Sequence, residues 1–160
     1  NGEAAGDNSG WSVSLSSDGN TVAIGAINND ASGNLLSNAG HVRVYDWDTV
    51  SWTQRGSDID GKATGDNSGF SVSLSSDGNT VAVGGPYNDY TGVDAGHVRV
   101  YDWDTVAWTQ RGQDIDGEAA GDYSGWSVSL SSDGNILAVG ATLNDGNGSN
   151  SGHVRVFKYE

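Results

Sequence analysis

Side chains that carry oxygen recur at fixed places in this chain, and their types define the chemistry open to it. The pairs Asn29-Asp30, Asn88-Asp89 and Asn144-Asp145 each follow a short apolar run, and single acids, Asp7, Asp66 and Asp122, each stand four residues before an aromatic. Such oxygens would bind calcium or accept hydrogen bonds from glycan hydroxyls. The same residue types also favour turns, because Asn, Asp and Gly tolerate left-handed backbone and bond their own main chain. His41, His97 and His153 each stand two residues before an arginine: Arg43, Arg99 and Arg155. On a strand that spacing puts both side chains on one face. The pair suits an anion or sugar contact, or a structural layer repeated in every unit with the acids of the DWD segments as partners. Those acids, Asp46 with Asp48 and Asp102 with Asp104, would need a cleft and one raised pKa to act as a glycosidase pair. Their recurrence in a turn of each unit suits turn chemistry instead. With three His, no Cys and neither a nucleophile elbow nor a phosphate loop, no catalytic residue and no metal set is assigned. No cofactor is required on this reading, and Ca2+ is the one cation the Asn-Asp loops would take.

Composition narrows the partners. The formal charge is −14, from seven Lys+Arg against 21 Asp+Glu. The scattered cations leave no patch for a nucleic acid or for an anionic membrane surface. Without cysteine, disulfides and thiolate metal sites are excluded. No apolar run approaches the ~20 residues of a spanning helix, so membrane insertion is not expected. The absence of Met reads as a mature product or a fragment. The 25 Gly, with abundant Ser, Thr, Val, Asn and Asp, match short strands joined by tight turns.

The sequence repeats. GEAAGDNSGW, GKATGDNSGF and GEAAGDYSGW begin at Gly2, Gly61 and Gly117, which divides the chain into 2–60, 61–116 and 117–160. The first repeat is three residues longer, within 25–40, which marks a surface loop. Inside a unit, WSVSLS at 11–16 alternates apolar and polar residues and predicts a strand. Asp18-Gly19 predicts a tight hairpin with primed geometry. TVAIGA at 21–26, HVRVYDW at 41–47 and SWTQRG at 51–56 complete a four-stranded antiparallel meander, and SDIDGKATGDNSG links it to the next. A lone sheet of this kind has two apolar faces to cover. Stacking sheets around an axis covers both, which predicts an all-β protein of β-propeller blades. Small residues at 23, 25 and 26 suit the crowded inner strands, and the Trp residues, Trp52 and Trp108 among them, suit the wider spaces between blades. The third unit ends before its fourth strand. Since propellers have ~4–8 blades, the ring is expected to be completed by further repeats or further chains.

The unit resembles the FG-GAP repeat, the blade of the integrin α-subunit propeller. Gly10-Trp11, Gly69-Phe70 and Gly125-Trp126 stand for its first signature. Gly25-Ala26-Ile27, Gly84-Gly85-Pro86 and Gly140-Ala141-Thr142 stand for its second. Many members carry a calcium loop between strands one and two, with three alternating acids. Here SSDGN, at 16–20, 75–79 and 131–135, offers one Asp, too few for the ~6–8 oxygens that calcium takes. The resemblance implies a non-enzymatic extracellular or cell-surface module for adhesion, recognition or self-assembly. A glycan-binding propeller and a structural filament subunit are the alternatives. Self-association or further repeats, and a glycan or protein ligand, are the expected partners.

Overall fold

Alternation produces strands where it predicts them. The computed structural model describes residues 1–31 and 35–159. The longer loop of the first repeat contains residues 32–34, so its extra length lies partly outside the described residues, as does residue 160. The first repeat forms β1 (Ser9–Leu15), β2 (Thr21–Ala26), β3 (His41–Trp47), β4 (Trp52–Gln54) and β5 (Ile59–Asp60). The second forms β6 (Ser71–Leu74), β7 (Thr80–Gly85), β8 (His97–Trp103), β9 (Trp108–Gln110) and β10 (Ile115–Asp116). The third forms β11 (Ser124–Leu130), β12 (Ile136–Ala141) and β13 (His153–Lys158). Each repeat is its own antiparallel sheet, and the third has three strands.

Two local features differ from expectation. The hairpin after β1 is not a two-residue primed turn, because Gly19 alone of its central pair has positive φ, at 72°. The Gly19 amide donates to Ser16 O at 3.0 Å, which closes a turn over Ser17 and Asp18 before the left-handed glycine. The Asp18 side chain sets this geometry by accepting from the Asn20 amide and from Ser16 Oγ. The fourth strand is also split. β4 pairs with the end of β3, and β5 pairs with its beginning, His41 opposite Asp60. Between them Gly56, at φ 75°, carries the chain off the edge. The link therefore returns to the sheet and lays its two aspartates beside the third strand.

The sheets pack face to face. Ala23, Val42, Val44 and Ile59 of the first cover Leu74, Val81, Val83 and Tyr101 of the second. Ala82, Val98 and Val100 of the second meet Leu137 and Val139 of the third. The inner strands approach closely: a Cβ on Gly25 would stand 2.1 Å from the Gly69 carbonyl, and one on Gly84 2.2 Å from that of Gly125. Separate meanders stacked through glycine-packed inner strands are β-propeller blades, here three of them. The two outer faces are open. Leu74 is 7% exposed but its counterpart Leu15 is 59% exposed, and Val154 and Val156 are each 66% exposed where Val98 and Val100 are buried.

Candidate functional site

One end of each blade gathers the loop between its second and third strands and the link that precedes it, joined in the first two blades by the link that follows. The structure brings the predicted Asn and Asp residues together there. Asn29 Nδ2 donates to Asp7 Oδ2 at 3.2 Å, Asn88 Nδ2 to Asp66 Oδ1 at 3.0 Å, and Asn144 Nδ2 to Asp122 Oδ2 at 2.9 Å. Each of these aspartates also accepts from a link amide, that of Ala4, Ala63 or Ala119. Asp30, Asp89 and Asp145 accept from the amides of Asn38, Asp94 and Asn150, which close the loop on itself. These oxygens thus clasp loop to link; the pairs Asp66–Asn88 and Asp122–Asn144 are buried, and in the first blade Asp7 is buried while Asn29 is half-buried.

Directly beside the clasp lies the His-Arg layer. His41 and His97 are each 1% exposed. The DWD acids are not their partners, as the sequence suggested. Asp46 instead pairs with Arg55 (Nε to Oδ2, 3.1 Å), and Asp102 with Arg111 (Nε to Oδ2, 2.7 Å). The reason is register: Asp46 and Asp102 lie at the far end of β3 and β8, opposite the fourth strand. The His-Arg pairs face link residues that sequence reasoning passed over. In the first blade these are Glu3, Asp58 and Asp60, in the second Lys62, Asp114 and Asp116, and in the third Glu118. Arg43, Arg99 and Arg155 reach back to the carbonyls of Asn1, Asp60 and Asp116. The recurrent DIDG at 58–61 and 114–117 was the available signal, since its two aspartates alternate with an apolar residue as on a strand.

In the middle blade these groups wall a cleft of about 570 Å3, lined by Lys62, Asp66, Asn88, Asp89, Asp114 and Asp116 with Tyr90 at its side. Four carboxylates face one ammonium. Burial raises the Asp66 carboxyl above its ordinary value against the hydrogen bond from Asn88. Burial, then the neighbouring Asp114 charge, raises Asp116. Asp114 goes the other way: burial opposes, but hydrogen bonds from Lys62 and Gln110 outweigh it and hold the group low. Burial, then the Arg99 charge, lowers His97 to about 4. Its ring is therefore neutral at pH 7, and neither nitrogen makes a hydrogen bond among the described residues. Burial also lowers His41, against the pull of Asp58. Buried neutral imidazoles beside carboxylates can accept a proton or a Lewis acid.

The remaining candidates are held by turns and packing. Asp48 accepts from the Val50 and Ser51 amides, and Asp104 from those of Val106 and Ala107. Trp108 packs against the first interblade core and donates Nε1–H to Arg55 O at 2.8 Å. Trp52, expected in the same role, is 44% exposed because its side of the first blade has no neighbour. In the SSDGN hairpins both oxygens of Asp18 are taken by Ser16 and Asn20, and the turn gathers no further carboxylate.

A radial stack of antiparallel meander blades with polar loops at one end defines a propeller segment. The chain belongs to the FG-GAP repeat family, whose model matches residues 1–45 and 115–157. No curated protein matches it in sequence. Solved structures share the fold. The Pseudomonas aeruginosa periplasmic gluconolactonase PpgL is similar with a TM-score of 0.59 and 19% identity, over 92% of this chain and 39% of that one. Kuenenia stuttgartiensis hydrazine synthase is similar with a TM-score of 0.54 and 17% identity, over 98% of this chain and 35% of that one. This chain therefore spans well under half the length of either. Both of those proteins are named as enzymes, which corrects the expectation of a non-enzymatic adhesion, recognition or self-assembly module, with its glycan-binding and filament alternatives. That expectation moved from a repeat to one use of it, and a fold does not carry its function.

Proposed function

We propose that this chain supplies three blades to a closed propeller domain of an enzyme, and that the loop-end cleft of the middle blade holds a small substrate rich in hydrogen-bond donors, an amine or a polyol. The observation that carries the reading is the cleft itself: about 570 Å3, walled by three separate segments and acidic, with the buried Asp116 Oδ1 making no hydrogen bond among the described residues. Concave, polar-anchored sites of this size are where small ligands bind. The open flanks support ring closure by a further blade of the same repeat. Within the chain, the Val42–Val44 face already covers the Leu74–Val81 face. Its unpaired equivalents, Val154–Val156 at one end and Leu15–Val22 at the other, would fit a neighbouring blade in the same way.

The reading is tested by thermal denaturation with a panel of small amines, polyols and sugar lactones. A ligand at a hundred times its Kd should stabilise by about 2.7 kcal/mol, and Asp116→Asn and Asp89→Asn should remove that shift. A folded protein that no member of the panel stabilises, or a shift indifferent to both substitutions, would overturn the proposal. Light scattering, on this chain and on any longer form with added repeats, distinguishes closure by a second copy from closure within one polypeptide.

A further inference from the structure

The junction between link and third strand is built alike in the first two blades, with one difference of charge. Residue 3 is Glu in the first and its counterpart, residue 62, is Lys in the second. In the second blade Lys62 Nζ sits on both oxygens of Asp114, at 2.7 and 2.9 Å. Around His97 two carboxylates, Asp114 and Asp116, thus face two cations, Lys62 and Arg99. Around His41 three carboxylates, Glu3, Asp58 and Asp60, face one cation, Arg43. The first junction carries an excess of negative charge that the second does not.

Its donors are also oriented. Asp58 Oδ1 accepts from Gln54 Nε2 at 2.6 Å, which leaves Oδ2 turned to His41 Nδ1 at 3.3 Å. Glu3 Oε1 lies 3.3 Å from Arg43 Nη1, which leaves Oε2 on the His41 side, 3.9 Å from Nδ1. His41 is 1% exposed, and its buried Nδ1 has no hydrogen bond among the described residues. One nitrogen and two oxygens therefore converge within 4.8 Å of one another. Tetrahedral ligands ~2.0–2.2 Å from a zinc ion stand roughly 3.4 Å apart, so Asp58 already stands at that distance from His41 and the half-exposed Glu3 side chain would move inward. Glu3 is half exposed, which leaves an open side for entry and for a water ligand.

We infer that Glu3, His41 and Asp58 form a binding site for a divalent first-row transition ion, and that Lys62 is a built-in cation which takes the same place in the second blade. Mixed imidazole and carboxylate donors favour Zn2+ or a neighbouring first-row ion over Ca2+. Gln54 and Arg43 are positioning residues that hold the far oxygen of each carboxylate.

The test is Zn2+ titration calorimetry at neutral pH, with Co2+ absorption as a spectroscopic readout and Ca2+ as a competitor. Compared with wild type, Glu3→Gln and Asp58→Asn should each lose one Zn2+ equivalent. Gln54→Ala should weaken that equivalent by about 10–100-fold, with metal-free melting unchanged. Lys62→Glu should gain one equivalent, with the visible bands of a second Co2+ centre. Glu3 is exposed enough that Glu3→Gln will fold, and circular dichroism confirms it for every variant. Wild-type binding that survives both Glu3→Gln and Asp58→Asn, or no Zn2+ binding by the folded wild type, would overturn the site. Binding that Ca2+ displaces as readily as Zn2+ would overturn the ion class, and a Lys62→Glu variant with no added equivalent would overturn the role of Lys62.

Discussion

Leu74 and Leu15 occupy the same place in successive repeats, and only their neighbours differ. Leu74 is buried against Ala23, Val42 and Val44 of the preceding blade, while Leu15 projects from the uncovered face of the first. Truncation of a buried leucine costs about 2–5 kcal/mol, from lost transfer free energy and the residual cavity. The cost of Leu74→Ala should fall in that range and lower the Tm by roughly 6–15 °C, at about 3 °C per kcal/mol for this size. Leu15→Ala should cost within about 0.5 kcal/mol of nothing, as an exposed substitution does. The assay is urea denaturation of each variant at a dilution where light scattering gives a monomer. Equal costs in that monomer, or a Leu74→Ala cost near zero, would refute the claim that each blade is stabilised by its neighbour's face. In a closed ring the two substitutions should become equally costly, because a further blade would then cover Leu15.

Three further outcomes follow from local geometry. Gly84→Ala should destabilise by about 1–3 kcal/mol, because its new methyl meets the Gly125 carbonyl, a backbone atom that cannot rotate away. Gly140→Ala meets Ser127 Oγ, which can rotate, so its cost in the same denaturation experiment should be the smaller. For His97, burial and Arg99 set the folded pKa near 4 against 6.5 for the free side chain, with Asp114 opposing and Lys62 and Asp116 close by. The unfolded chain then binds more protons between those values. Its contribution, about 3 kcal/mol, is complete above pH 6.5 and is lost as pH falls toward 4. His97→Gln should flatten that part of the stability curve, and an unchanged slope would count against the burial. The Asp18 carboxyl is held near 2 by hydrogen bonds, first from Ser16 and then from Asn20. Ser16→Ala should move its NMR titration up toward 3.8; a midpoint that stays put would refute the hydrogen-bond cause.

The blades were legible because period-two alternation and glycine placement are local signals. TVAIGA and HVRVYDW are β2 and β3 to the residue. The hairpin type was not legible, because Asp18 bonds its neighbours through its side chain, and that decides the turn against the primed form. The break between β4 and β5 was also hidden. A short DID run scores poorly as a strand, and it pairs only because β3 extends beyond the end of β4. That return to the sheet is what places Asp58 and Asp114 beside the histidines. The acids of the DWD segments seemed nearer in sequence, but antiparallel register sends them to the opposite end of the strand.

Near-identity of the repeats makes sameness a weak guide to function and difference a strong one. The Asp-Asn clasp recurs unchanged in all three units, as a device that builds every blade must. Residues 3 and 62 depart from each other by a reversal of charge at a part-exposed junction, where two carboxylates stand close to a buried imidazole. Like charges crowded beside a buried imidazole repel one another, and a cationic side chain or a bound ion relieves that repulsion. The second blade uses a side chain, with Lys62 on Asp114. The first has no ammonium there, and Arg43 alone is set against three carboxylates. The same backbone, the same histidine and the same aspartate therefore meet one electrostatic requirement by two routes, and a change at residue 62 should convert one route into the other.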